Sequence, residues 1–306
     1  MNCLLICLIV HKSPKALGAY RYLMIYISVF EIGYAFFDLS LRPEVATKGT
    51  HWLVTLDANL TFLPYPVLYI SLLAWCGSFG IFLANFAVHF IFRYLAVIGE
   101  QKWTSSSGFR FWILMSSSAI YGFLWTLSVH IFEPRTDEMD EFIRTEMSSL
   151  KGVPIEEVVY VGFSFYEKIS DTEEVINWNS AVGTLLLSLF IAISSTAMFY
   201  FATKCYLAIK ELTDETIKSS KAKSLQAQLF FALVFQASIP MVLMHIPCSL
   251  VLLTTFFAKT EEFFGQVLTV SIALFPAIDP LPSMIIIKAY RNAIIGLCAG
   301  IYTRAE

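Results

Sequence analysis

The sequence predicts an all-α membrane protein, a seven-transmembrane helix bundle whose first helix is truncated. Three observations predict it. Hydrophobic residues make up 57% of the 306 residues. Charged residues make up only 15%, against roughly 25% in ordinary soluble proteins. Apolar stretches recur along the chain, most of them near the roughly 20 residues that a bilayer-spanning helix needs. Lys and Arg gather in alternate connecting segments, as they do when every second loop faces the cytoplasm. The net charge of −3 argues against nucleic acid as a partner and leaves the lipid membrane as the first one.

Residues 1–10 are apolar, but ten residues of helix cover about 15 Å, half of a bilayer core. One reading is the apolar stretch of a signal peptide. No basic residue precedes it, and His11-Lys12-Ser13-Pro14-Lys15 is not a small-residue cleavage site. The preferred reading is the inner half of a first helix whose start is missing, as in a truncated gene model, isoform or fragment. The second helix is 22–39, apolar apart from Glu31 and Asp38. The third is 62–92, the fourth 111–132, the fifth 177–203 and the sixth 225–257. The seventh is 264–287, interrupted only by Asp279. The outer loop 133–176 and a cytoplasmic tail, 288–306, complete a single membrane domain. No internal repeat or low-complexity tract is visible.

Placing 11–21 inside fixes the alternation. Segments 11–21, 93–110, 204–223 and 288–306 then hold 14 Lys and Arg, and the outer segments 40–57, 133–174 and 259–262 hold 7. The amino terminus lies outside and the carboxyl terminus inside, if the first helix spans. The block 133–174 holds 12 acidic and 4 basic residues. It reads as a solvated face, or as a lid over an outer cavity with a weak preference for cationic or neutral ligands.

The six cysteines form no CxxC pair and no Cys/His cluster with metal-ligand spacing, so no metal or cofactor is implied. Cys3 and Cys7 read as lipid-facing thiols. No HExxH, no GxSxG and no motif-bearing pair of facing aspartates is present, so no enzyme is expected.

On the third helix, Ser71, Trp75, Ser78, Phe82, Asn85, His89 and Arg93 follow one another at spacings of three or four and share a face. Polar groups facing lipid would be unsatisfied, so that face looks into the bundle. Its outer part, Ser71, Trp75 and Ser78, is a candidate ligand lining; polar glue between helices is the alternative. Arg93-Tyr94 sits at the cytoplasmic boundary. On the sixth helix, Pro240 and Pro247 free the carbonyls of Gln236 and Leu243, giving an element that swings or a static kink. His245, between them, touches a ligand or packs. Asp279 is expensive at membrane depth and reads as a switch or lock with Pro280, or as part of an ion pathway. Asn59-Leu60-Thr61 is a glycosylation sequon, and Cys298 a palmitoylation site or a free thiol.

The segments PAIDPLPSMIIIKAYR (276–291), HFIFRYLAV (89–97) and PMVLMHIP (240–247) resemble the Str/Srj-type nematode serpentine chemoreceptors, over nearly the whole chain. The resemblance implies a G-protein-coupled chemosensory receptor in the ciliary plasma membrane of sensory neurons. It implies a small odorant-like ligand and a heterotrimeric G protein as partners. Arg93-Tyr94 stands where the broader rhodopsin-like class keeps Asp-Arg-Tyr, with Phe92 in place of the acid. Asp279-Pro280 stands where that class has Asn-Pro, with Ser283 in place of the following Tyr. The disulfide common in that class, from the third helix to the second outer loop, has no cysteine to form from in 133–174.

Overall fold

In hydrocarbon every backbone N–H and C=O must find its partner within the protein, and a helix does this segment by segment. The computed structural model describes residues 1–14, 17–147, 153–170, 173–214 and 220–302. The short helix α1 (Asn2–Lys12) leads into α2 (Tyr20–Leu41). A hairpin follows, β1 (Glu44–Lys48) and β2 (His51–Asp57), and then α3 (Tyr65–Val97). A single turn α4 (Gln101–Thr104) joins α3 to α5 (Phe109–Phe132). The next connection holds α6 (Asp137–Glu146), β3 (Val158–Ser164), β4 (Tyr166–Ser170) and β5 (Glu173–Ile176). Then come α7 (Trp178–Asp214) and α8 (Ser220–Pro240). A π-helical stretch, Met241–His245, continues α8 into α9 (Ile246–Phe256). The chain ends with α10 (Glu262–Ile278), α11 (Pro280–Ile286) and α12 (Lys288–Tyr302).

Among the described residues, six helical stretches are long and apolar enough to cross a bilayer: Tyr20–Leu41, Tyr65–Val97, Phe109–Phe132, Trp178–Glu211, Ser224–Phe256 and Glu262–Ile286. The first helix has 11 residues. Large apolar side chains such as Phe36, Phe123, Leu185 and Val270 point away from the protein on these helices, as lipid contact requires. The most buried helix is α3, which runs between α2, α5, α7 and α8. Its approach to α5 depends on Gly122, where an added Cβ would lie 2.3 Å from Ile81 Cγ1 and 2.9 Å from the Gly77 carbonyl oxygen.

The long connections at one end of the bundle are more ordered than the loops expected there. Strands β1, β2 and β3 form an antiparallel sheet in that order. Its side chains alternate. Val45, Val54, Leu56, Val159 and Val161 join the bundle core, while Ala46, Leu53, Val158 and Tyr160 pack under α6 with Met139 and Ile143. Helix, sheet and bundle therefore stack as three layers. Thr136 caps α6 by accepting from Met139 N at 3.2 Å, and Asp137, Glu138 and Asp140 complement its first turn. The sheet is fastened to α10. Val45 N donates to Thr269 Oγ1 at 2.8 Å, and Gly265 lets the Val45 carbonyl come where a Cβ would lie 2.3 Å away.

At the opposite end α1 packs on α2, α11 and α12 through Leu5, Leu8, Ile9, Leu23, Met284 and Tyr290. The segment expected as a tail is helical from Lys288 to Tyr302. The side chain of Cys298 lies outside the described residues. Cys3 and Cys7 are exposed, and Asn59 is exposed with its Nδ2 donating to Glu157 Oε2 at 2.5 Å.

Candidate ligand cavity and polar switch

The sheet closes one end of the helical bundle, and a cavity of about 90 Å³ lies beneath it. Tyr34 of α2, Trp75, Phe79 and Phe82 of α3 and Trp125 of α5 form an aromatic wall. Trp52 and Phe163, paired across β2 and β3 with ring centroids 5.5 Å apart, form the roof. Met244, in the π-helical stretch, also borders it. The cavity is therefore shared between the sheet and six helical elements, so a molecule within it would touch parts that are far apart in sequence.

Of the four side chains proposed as ligand lining, Trp75 reaches the cavity, its indole fixed by donating Nε1–H to Asp38 Oδ1 at 2.8 Å. Ser78 is buried beside it, but its hydroxyl donates to the Ala74 carbonyl of its own helix at 2.9 Å. Ser71 is half-buried and does not line the cavity. His245 stands behind the wall: its Nδ1 lies 3.1 Å from the Pro240 carbonyl and its ring 6.3 Å from Phe79. The proline spacing thus brings His245 back onto the backbone of its own helix.

Three further side chains with buried, unpartnered polar atoms border the cavity among the described residues, and none was singled out in the sequence. Glu133 follows the last residue of α5 and is 1% exposed, yet neither carboxyl oxygen has a hydrogen-bond partner among the described residues. Its backbone is held on both sides: its N–H donates to Val129 O at 2.9 Å and its carbonyl accepts from Gly162 N of β3 at 3.2 Å. Thr184 Oγ1 and Trp52 Nε1 are likewise buried without a partner. Glu133 was counted with the solvated acidic block. The fold separates it from that block, because β3 crosses over α5 and covers it. Burial pushes the Glu133 carboxyl up to about 8.

The residues proposed as a switch fall into two groups. Deep in the bundle, Gln236 Nε2 donates to Asp279 Oδ2 at 3.1 Å and to its backbone carbonyl at 3.2 Å, while Ser283 Oγ donates to Gln236 Oε1 at 3.0 Å. Asp279 sits at the break between α10 and α11, and Pro280 opens α11 at a position where its missing N–H costs nothing. Asn2 Nδ2 donates to Glu31 Oε2 at 2.8 Å and to Pro276 O at 2.9 Å. Glu31 and Asp279 lie within hydrogen-bonding reach of each other. This chain ties α1, α2, α8 and α11 together. Gln236 was named in the sequence for its freed carbonyl; its side chain proves to be the connecting group, and a Gln in mid-span was the signal for it.

Toward the other end, Arg93 is 2% exposed. Its Nη2 donates to Gln226 Oε1 at 2.5 Å, its guanidinium lies 5.0 Å from the Tyr20 ring, and Nε has no partner. Among the described residues no carboxylate stands within ion-pair distance of it. Tyr94 is half-buried against Phe201 of α7, ring centroids 5.8 Å apart. The seven-residue polar face of α3 expected from the spacing does turn inward: Trp75, Ser78, Phe82, Asn85, His89 and Arg93 are all buried. Between the cavity and Arg93 lies the packed ring pair Phe82 and Phe275, 4.8 Å apart at 81°.

Residues 1–295 match the family described as serpentine type 7TM GPCR chemoreceptor Str. The chain is 32% identical over 295 residues to "G-protein coupled receptor str-217" of Caenorhabditis elegans, a match that covers 96% of this chain and 84% of that protein. It is 24% identical over 310 residues to "G-protein coupled receptor str-33" of the same organism, covering 100% of this chain and 88% of that one. It is 24% identical over 289 residues to the "Serpentine receptor class r-10" protein of C. elegans, covering 94% and 83%. With a family match over nearly its full length and six apolar helices long enough to span a bilayer, the chain belongs to the Str family of multi-pass serpentine chemoreceptors.

Proposed function

We propose that this chain is a chemosensory receptor that binds a small, odorant-like molecule in the cavity beneath the sheet and signals to a heterotrimeric G protein at the end where Arg93 lies. In this reading the sheet faces the outside, the cavity is the ligand site, and the protein works in the plasma membrane of a sensory neuron, on its cilium. The observation that carries it is the cavity itself, partly enclosed, aromatic, and bordered by both the sheet and the π-helical stretch of the broken sixth span. A ligand that contacts Trp75 and Met244 differently in two arrangements of that span shifts the balance between them. At the opposite end Arg93 is held by a neutral amide and an aromatic ring. A charge so held is released at lower cost than one in a buried ion pair, which would leave a second charge unpaired. Arg93, Tyr94, Pro240, Pro247, Asp279 and Pro280 act in this scheme as the switch, and Trp75 as a ligand contact.

The test is calcium imaging of cells that express the chain with a promiscuous G-protein α-subunit, against an odorant panel. Arg93→Ala should reach the surface and weaken the ligand-evoked response by about tenfold or more, the effect of losing a charge-assisted hydrogen bond of ~1.5–3 kcal/mol that the released guanidinium makes to the G protein. A full response from a surface-expressed Arg93→Ala would remove Arg93 from the mechanism. Ligand-evoked current that persists without any G protein would favour a channel or transporter instead.

A further inference from the structure

We propose that the cavity is built for a protonated amine on a small apolar body, with Glu133 as the counter-ion. The inference deepens the ligand-site reading above and rests on it. Among the described residues, the polar atoms left without partners around the cavity are Trp52 Nε1, a donor, the Thr184 hydroxyl, which donates and accepts, and the two Glu133 carboxyl oxygens, which only accept once the proton leaves. A primary ammonium carries three N–H donors and no acceptor, so it matches this surplus. A ketone or ester brings only acceptors, so it can pair with Trp52 Nε1 or the Thr184 hydroxyl but leaves a Glu133 carboxylate uncompensated.

The surroundings agree. Among the described residues no Lys, Arg or His lines the cavity, so none of them competes for the carboxylate. Trp75, Phe79 and Trp125 offer aromatic faces, which attract a cation most strongly where water is excluded. The nearest basic residue in sequence, Arg135, is committed elsewhere: it pairs with Asp140 at 2.9 Å and donates to the Ile155 carbonyl at 3.2 Å. Unpaired, the buried Glu133 carboxyl keeps its proton near neutral pH, and an incoming ammonium supplies the charge that lets it ionise, each group offsetting the other's desolvation. The cavity volume of about 90 Å³ is below the ~150 Å³ of an apolar cavity that admits benzene, hence a small amine.

The experiment uses the purified full chain in lipid nanodiscs and compares three small amines with their alcohols: ethylamine, propylamine and isobutylamine against ethanol, propan-1-ol and isobutanol. Binding is read as the ligand-dependent rise in melting temperature. At least one amine should stabilise the wild type while its alcohol does not. Glu133→Gln, which keeps the shape and removes the charge, should weaken that amine by about 30-fold or more. Thr184→Val should weaken it less. Alcohols that stabilise wild type and Glu133→Gln alike would overturn the amine while leaving a ligand cavity in place. Failure of every amine to stabilise a folded wild type would overturn the proposal outright. An amine effect equal in wild type and Glu133→Gln would place the amine elsewhere and would also overturn it.

Discussion

Glu133 holds an uncompensated position, and its titration makes the consequence measurable. Burial lifts its carboxyl from the ordinary value of 4.5 to about 8. Below pH 4.5 the group is protonated in folded and unfolded chains alike and contributes no penalty. As pH rises through the window from 4.5 to 8 the unfolded chain releases a proton that the folded chain keeps, so stability is lost across that window, at up to ~1.4 kcal/mol per pH unit. The melting temperature of the wild type should therefore fall more than that of Glu133→Gln as pH is raised over this range. Tyr34, Cys76 and Cys248 also face the cavity and are the same in both proteins, so the difference isolates Glu133. Parallel pH profiles for the two proteins would show that the carboxyl reaches water. Trp75 was legible from its place in a run of three- and four-residue spacings. Glu133 was not, because a charge at the head of an acidic run reads as solvated until the strand that covers it is known.

Among the elements, α3 was the most readable, since Ser71, Trp75, Ser78, Asn85, His89 and Arg93 share one face of a long apolar helix and all but Ser71 are buried. Its fit against α5 was not readable, because Gly77 and Gly122 meet across sequence and only the meeting gives them a role. A side chain at 122 would strike Ile81 and the Gly77 backbone, while a Cβ at Gly33 would meet nothing within 4 Å. Gly122→Leu should thus cost ~1–3 kcal/mol by overpacking and lower surface expression, and Gly33→Leu should leave expression near that of the wild type. Equal expression of the two variants would mean that the helices separate without cost. The strands escaped the sequence reading for a different reason. VVYVGFS in β3 is buried along its whole length, under α6 on one side and over the bundle on the other, so it lacks the alternation that marks a half-exposed strand. It also lies inside a segment whose acidic count dominates any composition-based view.

For the whole molecule the decisive property is polarity from end to end. The connections at the sheet end carry the acidic helix α6 with its exposed Glu141, and those at the other end carry the basic segment that follows Glu211. The alternation of helices puts these two segments at opposite ends of the bundle whatever the bilayer does. The excess of Lys and Arg in short segments then decides which end stays in the cytoplasm. An epitope inserted beside Glu141 should accordingly be stained on intact cells, and one inserted after Glu211 only once the membrane is permeabilised. Staining of both without permeabilisation would break the alternation itself, and with it the cavity, since the sheet can roof the bundle only if both of its long connections emerge on the same side. The reverse pattern, with Glu211 exposed and Glu141 hidden, would keep the fold and turn the cavity toward the cytoplasm, where a chemosensory ligand from outside would have to cross the bilayer to reach Trp75.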